Sequence, residues 1–140
     1  MDLQNARQQL LTGDYTCVLC KGDTLHTSTR RGVAPLLALI DNGTDVSGFS
    51  AADKVVGKAT ALLYRYLGVN AIFARVISRS AAEVLKDIHL EFDRQVPFIQ
   101  NRDGTGRCPM ELATEAIDDP AQALTAIRRT LKALQEERKP

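Results

Sequence analysis

Two short segments constrain the fold of this chain more than any other feature. Each is predicted to form a strand that has apolar side chains on both of its faces. Residues 15–21 are rich in apolar side chains, and residues 71–77 are almost entirely apolar. Successive residues of a strand point to opposite faces, so both segments are predicted to be buried on both sides. A sheet with buried strands needs helices as cover, and the sequence therefore predicts an α/β domain.

The remaining segments predict a hairpin and a series of helices around these strands. Gly22-Asp23 is a two-residue turn that returns the chain into a strand over residues 24–28. Strict alternation predicts a half-exposed strand over residues 89–93, with Leu90 and Phe92 facing inward. Six helices are predicted, over residues 2–11, 35–42, 51–67 and 80–88, from Pro109, and from Pro120. Together these elements predict one domain over residues 1–140, a three-layer α/β/α sandwich with a mixed sheet of four to five strands.

The helix predicted over residues 51–67 carries an unusual first half. Asp53 completes a capping pair at its start, and Lys54 and Lys58 would lie one turn apart near its positive end, with Gly57 between them. Like charges at this spacing cost a few tenths of a kcal/mol, and glycine costs about 1 kcal/mol relative to alanine. These choices are typical of an anion site in which Gly57 admits a ligand or a neighbouring backbone. A solvated face with a packing glycine is the alternative.

A glycine-rich segment directly precedes the helix that is predicted to begin at Cys108-Pro109. Its backbone amides, next to a helix N-terminus and flanked by arginines, favour an anionic ligand. The segment is neither a Walker A loop nor a G-x-G-x-x-G loop, so the class of ligand stays open. The predicted ligand contacts are Asn101, Arg102, Gly104, Thr105, Gly106 and Arg107. Arg30-Arg31-Gly32 also precedes a helix and offers a second anion contact, with a solvated arginine pair as the alternative.

Cys108 is the cysteine best placed for chemistry. It stands beside Arg107 at a helix start, an environment that favours a reactive thiolate. If the site is catalytic, Cys108 is the predicted nucleophile or redox thiol, and Asp53 or Glu111 handles protons. The alternative is that Cys108 merely occupies the capping position of an ordinary helix.

Composition excludes several classes of function. The 18 basic and 17 acidic residues give a net charge of +1, which argues against binding to a nucleic acid polymer. No apolar run approaches the ~20 residues of a membrane span, and the polar N-terminus is unlike a signal peptide. Three cysteines in such a chain predict a reducing, cytoplasmic compartment. No cofactor is predicted.

Two motifs resemble zinc sites without meeting the requirements of one. Cys17 and Cys20 have C-x-x-C spacing, but in a strand an offset of three residues points them to opposite faces. His89-Leu90-Glu91 matches the H-x-E of zinc deaminases, yet it lies in a predicted strand and no P-C-x-x-C follows. The sequence therefore predicts no metal site, and His26 is read as a structural residue.

Residues 52–59 (ADKVVGKA) and 101–111 (NRDGTGRCPME) together resemble a family of small prokaryotic proteins, a domain of unknown function with a cytidine-deaminase-like fold. The resemblance extends over roughly residues 2–131. It implies a three-layer α/β/α sandwich and no established activity. Because the deaminase motifs are missing, it transfers no zinc chemistry, but it implies that a nucleotide-like ligand would occupy a cleft at one end of the sheet.

Three hypotheses follow from these observations. In the first, a cytoplasmic domain binds a small anionic, nucleotide-like ligand, with chemistry at Cys108. In the second, the domain is a non-enzymatic regulatory or assembly module and forms a homodimer. In the third, it is a degenerate zinc deaminase. Whether the protein is an enzyme stays open.

Overall fold

A five-stranded mixed sheet and six helices form the part of the chain that the structure, a computed structural model, describes: residues 1–101 and 103–137. The strands are Cys17–Lys21 (β1), Thr24–Ser28 (β2), Ser50–Val56 (β3), Ala71–Ser78 (β4) and His89–Val96 (β5). The helices are Asp2–Thr12 (α1), Ala34–Asp41 (α2), Lys58–Leu67 (α3), Arg79–Val84 (α4), Pro109–Thr114 (α5) and Pro120–Glu137 (α6). The predicted α/β class and mixed sheet are confirmed.

The sheet has the strand order β2-β1-β3-β4-β5. β1 is antiparallel to both of its neighbours, whereas β3, β4 and β5 run parallel to one another. The predicted hairpin connects β1 to β2, and Gly22 supplies the positive φ of +57° that its turn requires. Since α3 and α4 follow the parallel strands β3 and β4, their first residues lie at the same edge of the sheet.

Two separate hydrophobic clusters occupy the two faces of the sheet. On one face α1 contributes Leu3, Ala6 and Leu10 to a cluster with Cys20. On the other face, side chains of α2, α3, α4 and α6 pack in a cluster that includes Cys17. The prediction that the two cysteines of the C-x-x-C point to opposite faces is therefore confirmed. None of the described helices has the length and apolar content needed to cross a bilayer.

The helix predicted over residues 51–67 is wrong in its first half. Ser50–Val56 is strand β3, Gly57 is extended, and only Lys58–Leu67 is helical. A short apolar run fits the period of a strand as well as that of a helix, and pairing with β1 on one side and β4 on the other decides for the strand. Lys54 and Lys58 consequently do not lie one turn apart on a helix, and Asp53 does not cap one.

Two local predictions also need correction. Helix α4 is capped by Ser78, whose Oγ accepts a hydrogen bond from the Ala81 N–H, and not by Ser80 with Glu83. Glu83 instead pairs with Lys86 on the surface. Phe92 was predicted to face inward but is 43% exposed. The reason is that β5 is an edge strand, at the limit of the cover that the helices provide.

Candidate functional site

Glu111 ties the start of α3 to the loop that precedes α5. It is only 3% exposed, and its two carboxylate oxygens accept hydrogen bonds from the Ile99 N–H at 2.8 Å and the Lys58 N–H at 3.3 Å. Helix α3 has no side-chain cap of its own and no acidic residue in its first turn, so Glu111 supplies the negative charge that a helix N-terminus favours. A Cβ at Gly57 would lie 3.2 Å from the Cγ and Oε1 of Glu111. The absence of a side chain at Gly57 therefore makes room for this carboxylate.

The cations near Glu111 are paired with acidic or carbonyl groups of the chain itself. The Lys58 ammonium donates to the Glu115 carbonyl at 2.9 Å and to the Asp118 carboxylate at 3.3 Å. The Arg107 Nη1 donates to the Glu115 carboxylate at 3.0 Å. The Lys58 side chain is 11% exposed, but that of Asp118 is 94% exposed, so solvent weakens this ion pair.

The Arg107 Nε differs from these paired donors. It is buried and has no hydrogen-bond partner among residues 1–101 and 103–137. A buried donor without a partner costs about 1–3 kcal/mol, so this atom is a place where an acceptor from outside the described chain would be stabilised.

The glycine-rich loop is closed by hydrogen bonds to Asn101. The Asn101 N–H donates to the Gly106 carbonyl at 2.8 Å, and the Asn101 carbonyl accepts from the Gly104 N–H at 3.1 Å. The Asn101 side-chain oxygen accepts from the Thr105 N–H at 3.0 Å. Two of the amides that were predicted to face an anion thus bond within the loop. The predicted contact Arg102 lies outside the described residues.

Cys108 occupies the position directly before α5, and the predicted helix start is confirmed. The residue is half-buried, and its N–H donates to the Ile99 carbonyl at 2.8 Å. Its thiol makes no capping hydrogen bond. The backbone thus holds Cys108 beside Arg107 and, through Ile99, close to the carboxylate of Glu111.

Asp53 belongs to a buried polar cluster under α3. Asp53 and Cys17 are register partners on β3 and β1, and Tyr64 of α3 reaches both. The Tyr64 hydroxyl donates to the Asp53 carboxylate at 2.6 Å and lies 3.3 Å from the Cys17 Sγ. Desolvation raises the pKa of Asp53 to about 7, although the hydrogen bond from Tyr64 opposes this shift. Burial and the adjacent Asp53 raise the pKa of the Cys17 thiol, which is therefore neutral.

The sequence did not reveal Tyr64, which is fully buried. A helix over residues 51–67 predicts one apolar stripe that contains Ala52, Val56, Ala59, Leu63 and Tyr66, but Tyr66 is 46% exposed. No pattern in the sequence singles out Tyr64, because its polar contacts are with Asp53 and Cys17 on two strands of the sheet.

Apart from the residues of the glycine-rich loop described above, the predicted site residues that the structure describes fall into three places. Gly57, Lys58, Arg107, Cys108 and Glu111 come together where the start of α3 meets the segment leading into α5. Asp53 lies in the buried cluster with Tyr64. Lys54 is exposed on β3, and its side chain forms no ion pair with a carboxylate among the described residues.

The described residues include no group of three or more histidine, cysteine or acidic side chains that could hold a metal ion. His89 and Glu91 lie on strand β5, as predicted, with the His89 Nε2 at 2.8 Å from the Glu91 carboxylate. Both side chains are about half exposed or more.

We expect Glu111→Ala to destabilise the protein by about 2–4 kcal/mol, because it removes the acceptor of two backbone N–H groups at a buried position. Urea unfolding followed by circular dichroism measures the loss. Glu115→Ala is the matched control, since its carboxylate makes an exposed ion pair with Arg107 and its removal should cost under about 1 kcal/mol. Equal effects of the two changes would contradict the role of Glu111.

Asp53 should make the protein less stable as the pH rises. The pKa of Asp53 in the folded protein, about 7, lies above the ordinary 3.8. Its stabilising contribution to the free energy of unfolding is therefore fully present below pH ~4 and is lost as the pH rises through about 7. This one group changes the free energy of unfolding by at most about 1.4 kcal/mol per pH unit. Urea unfolding across this range should show that Asp53→Asn removes the slope.

Asp45→Asn is the control for Asp53→Asn. Hydrogen bonds from Ser47 lower the pKa of the exposed Asp45. The contribution of Asp45 to the free energy of unfolding is therefore lost as the pH falls, which is opposite to the pH dependence expected for Asp53. A wild-type minus Asp53→Asn difference in unfolding free energy that does not change with pH would refute the assignment.

The family comparison covers most of the chain. Residues 5–131 match the family model described as TM1506, a domain of unknown function (DUF1893). The crystal structure of a DUF1893 family protein (TM1506) from Thermotoga maritima is similar, with a TM-score of 0.82 and 27% sequence identity over 94% of this chain and 89% of that chain. No curated protein matches. On these grounds the chain belongs to the DUF1893 family.

Proposed function

We propose that this domain binds a small anionic, nucleotide-like ligand where the loop of residues 101–107 meets the start of α3. The ligand would accept a hydrogen bond from Arg107 and lie beside Cys108. No nucleic acid polymer or membrane takes part in this proposal.

The unpartnered Arg107 Nε is the single observation that carries the proposal. A guanidinium presents several donors in one plane, and here Nη1 is held by Glu115 while the buried Nε has no acceptor among the described residues. Phosphate and carboxylate oxygens are the acceptors that guanidinium groups bind best. The ion pair between Lys58 and the exposed Asp118 is weak enough for a ligand anion to replace the Asp118 carboxylate.

The half-buried thiol of Cys108 is the reactive group that this site would offer. The other two cysteines are 2% and 3% exposed, so a ligand beside Arg107 meets only Cys108. Proton transfer by Asp53 or Glu111 stays a prediction, and both carboxylates already accept hydrogen bonds inside the protein. Three free cysteines, two of them buried in separate clusters, support a reducing, cytoplasmic compartment.

We further propose that the fold is a single three-layer α/β/α sandwich of the cytidine-deaminase-like class. The two hydrophobic clusters on opposite faces of the mixed sheet support it. The start of α3, at the end of the parallel strand β3, lies where α/β sheets bind ligands. Zinc deaminase chemistry is left out of the proposal because the chain lacks the helical H-x-E and the P-C-x-x-C.

Inorganic phosphate and a panel of nucleoside monophosphates should raise the melting temperature of the wild-type protein by mass action. We expect Arg107→Gln to weaken the binding of the best compound about tenfold or more, as measured by calorimetry, because a charged hydrogen bond is lost. Arg128→Gln is the matched control, since Arg128 makes a similar surface ion pair with Asp41 at 2.8 Å. The bound compound should also slow the alkylation of Cys108. A panel without effect, or equal affinity of the Arg107→Gln variant, would refute the proposal.

A non-enzymatic assembly module is the second candidate, and strand β5 favours it. β5 is an edge strand with Phe92 exposed, and an unpaired edge next to an exposed aromatic residue is suited to pairing with a second copy. Light scattering distinguishes the candidates, because a mass equal to the 15.3 kDa of one chain excludes the homodimer.

A further inference from the structure

A cavity of about 270 Å³ lies between the β1–β2 hairpin and helix α2, apart from the residues of the proposed anion site. A volume of this size is enough for a small organic molecule. The lining residues are Cys17, Leu19, Leu25, His26, Thr27, Ser28, Arg30, Pro35, Ala38 and Leu39. The lining is therefore mainly apolar, with one formal positive charge.

The backbone of Arg30 is held by two hydrogen bonds. Its N–H donates to the Ser28 Oγ at 3.1 Å, and its carbonyl accepts a hydrogen bond from the Thr16 hydroxyl. Its guanidinium forms no ion pair with any carboxylate of residues 1–101 and 103–137. An arginine that lines a cavity and forms no ion pair with the described carboxylates is suited to bind an anionic ligand.

Two polar residues of the lining, Cys17 and Ser28, already have hydrogen-bond partners within the protein. Ser28, Cys17 and Asp53 are register partners across β2, β1 and β3, and Tyr64 bridges Cys17 and Asp53. The thiol of Cys17 is therefore hydrogen-bonded and is no nucleophile for a ligand. Of the lining residues, Arg30 supplies the cation that would recognise a negative charge, and His26 and Thr27 add two further polar side chains.

We propose that this cavity binds a small carboxylic acid with an apolar body. Arg30 pairs with the carboxylate, and the apolar body lies against Leu19, Pro35 and Leu39. A guanidinium and a carboxylate match in geometry as well as in charge. A phosphate or a nucleotide, which carries more charge and needs several donors, suits this largely apolar lining less well. The site is independent of the loop of residues 101–107 and does not rest on the function proposed for it.

Benzoate is the probe, and uncharged benzamide is its matched compound. We expect benzoate to bind the wild-type protein in the millimolar range or tighter by calorimetry, and benzamide to bind about tenfold more weakly or not at all. Arg30→Gln should weaken benzoate binding about tenfold and should leave the fold intact, because the side chain of Arg30 is exposed. Arg31→Gln, an exposed neighbour that does not line the cavity, should leave the affinity unchanged.

Ala38→Leu tests the cavity itself. The larger side chain fills part of the volume and should abolish benzoate binding, whereas Arg107→Gln should not affect it. Absence of benzoate binding to the wild type, equal affinity in Arg30→Gln, or loss of binding in Arg107→Gln would overturn the proposal. If Ala38→Leu fails to fold, the comparison of Arg30→Gln with Arg31→Gln still decides.

Discussion

The pairing of β3 with β1 on one side and with β4 on the other is the constraint on which the rest of the structure depends. It turns residues 50–56 into an interior strand and directs Asp53 to the face covered by α3. It also ends the strand at Gly57, so that α3 begins at Lys58. The polar cluster around Tyr64 and the junction with α5 both follow from this one placement.

Glu111 gives the second organising contact. A single buried carboxylate satisfies one backbone amide at the start of α3 and another in the loop before α5. It explains why a glycine stands at position 57, since a side chain there would lie against the carboxylate. The Lys58 amide at the start of α3 is therefore already bonded to Glu111, whereas the Arg107 Nε has no partner among the described residues.

The arginines of the two proposed sites, Arg107 and Arg30, lie in different environments. Arg107 lies in a cluster where Glu111, Glu115 and Asp118 offset its charge and that of Lys58. Arg30 instead lines a largely apolar cavity and has no carboxylate partner among the described residues. Under the proposed function, the first environment would hold an anion that brings several acceptors and competes with carboxylates. The second suits a single carboxylate whose apolar part contributes to binding.

The sequence alone determined the features that depend on neighbours along the chain. The β1–β2 hairpin, the opposite directions of Cys17 and Cys20, and the start of α5 at Pro109 follow from turn chemistry, the two-residue period of a strand and the preference of proline for a first helical turn. These are local steric rules, and no distant residue can reverse them cheaply.

Only the tertiary structure decided the rest. Residues 50–56 fit either a helix or a strand, and the choice came from hydrogen bonds to β1 and β4. The hydroxyl of Tyr64 reaches Asp53, 11 residues away, and Glu111 reaches Lys58 across 53 residues. Such contacts depend on how elements pack, because the desolvation of a carboxylate and the partners that compensate it are set by the whole fold and leave no periodic trace in the sequence.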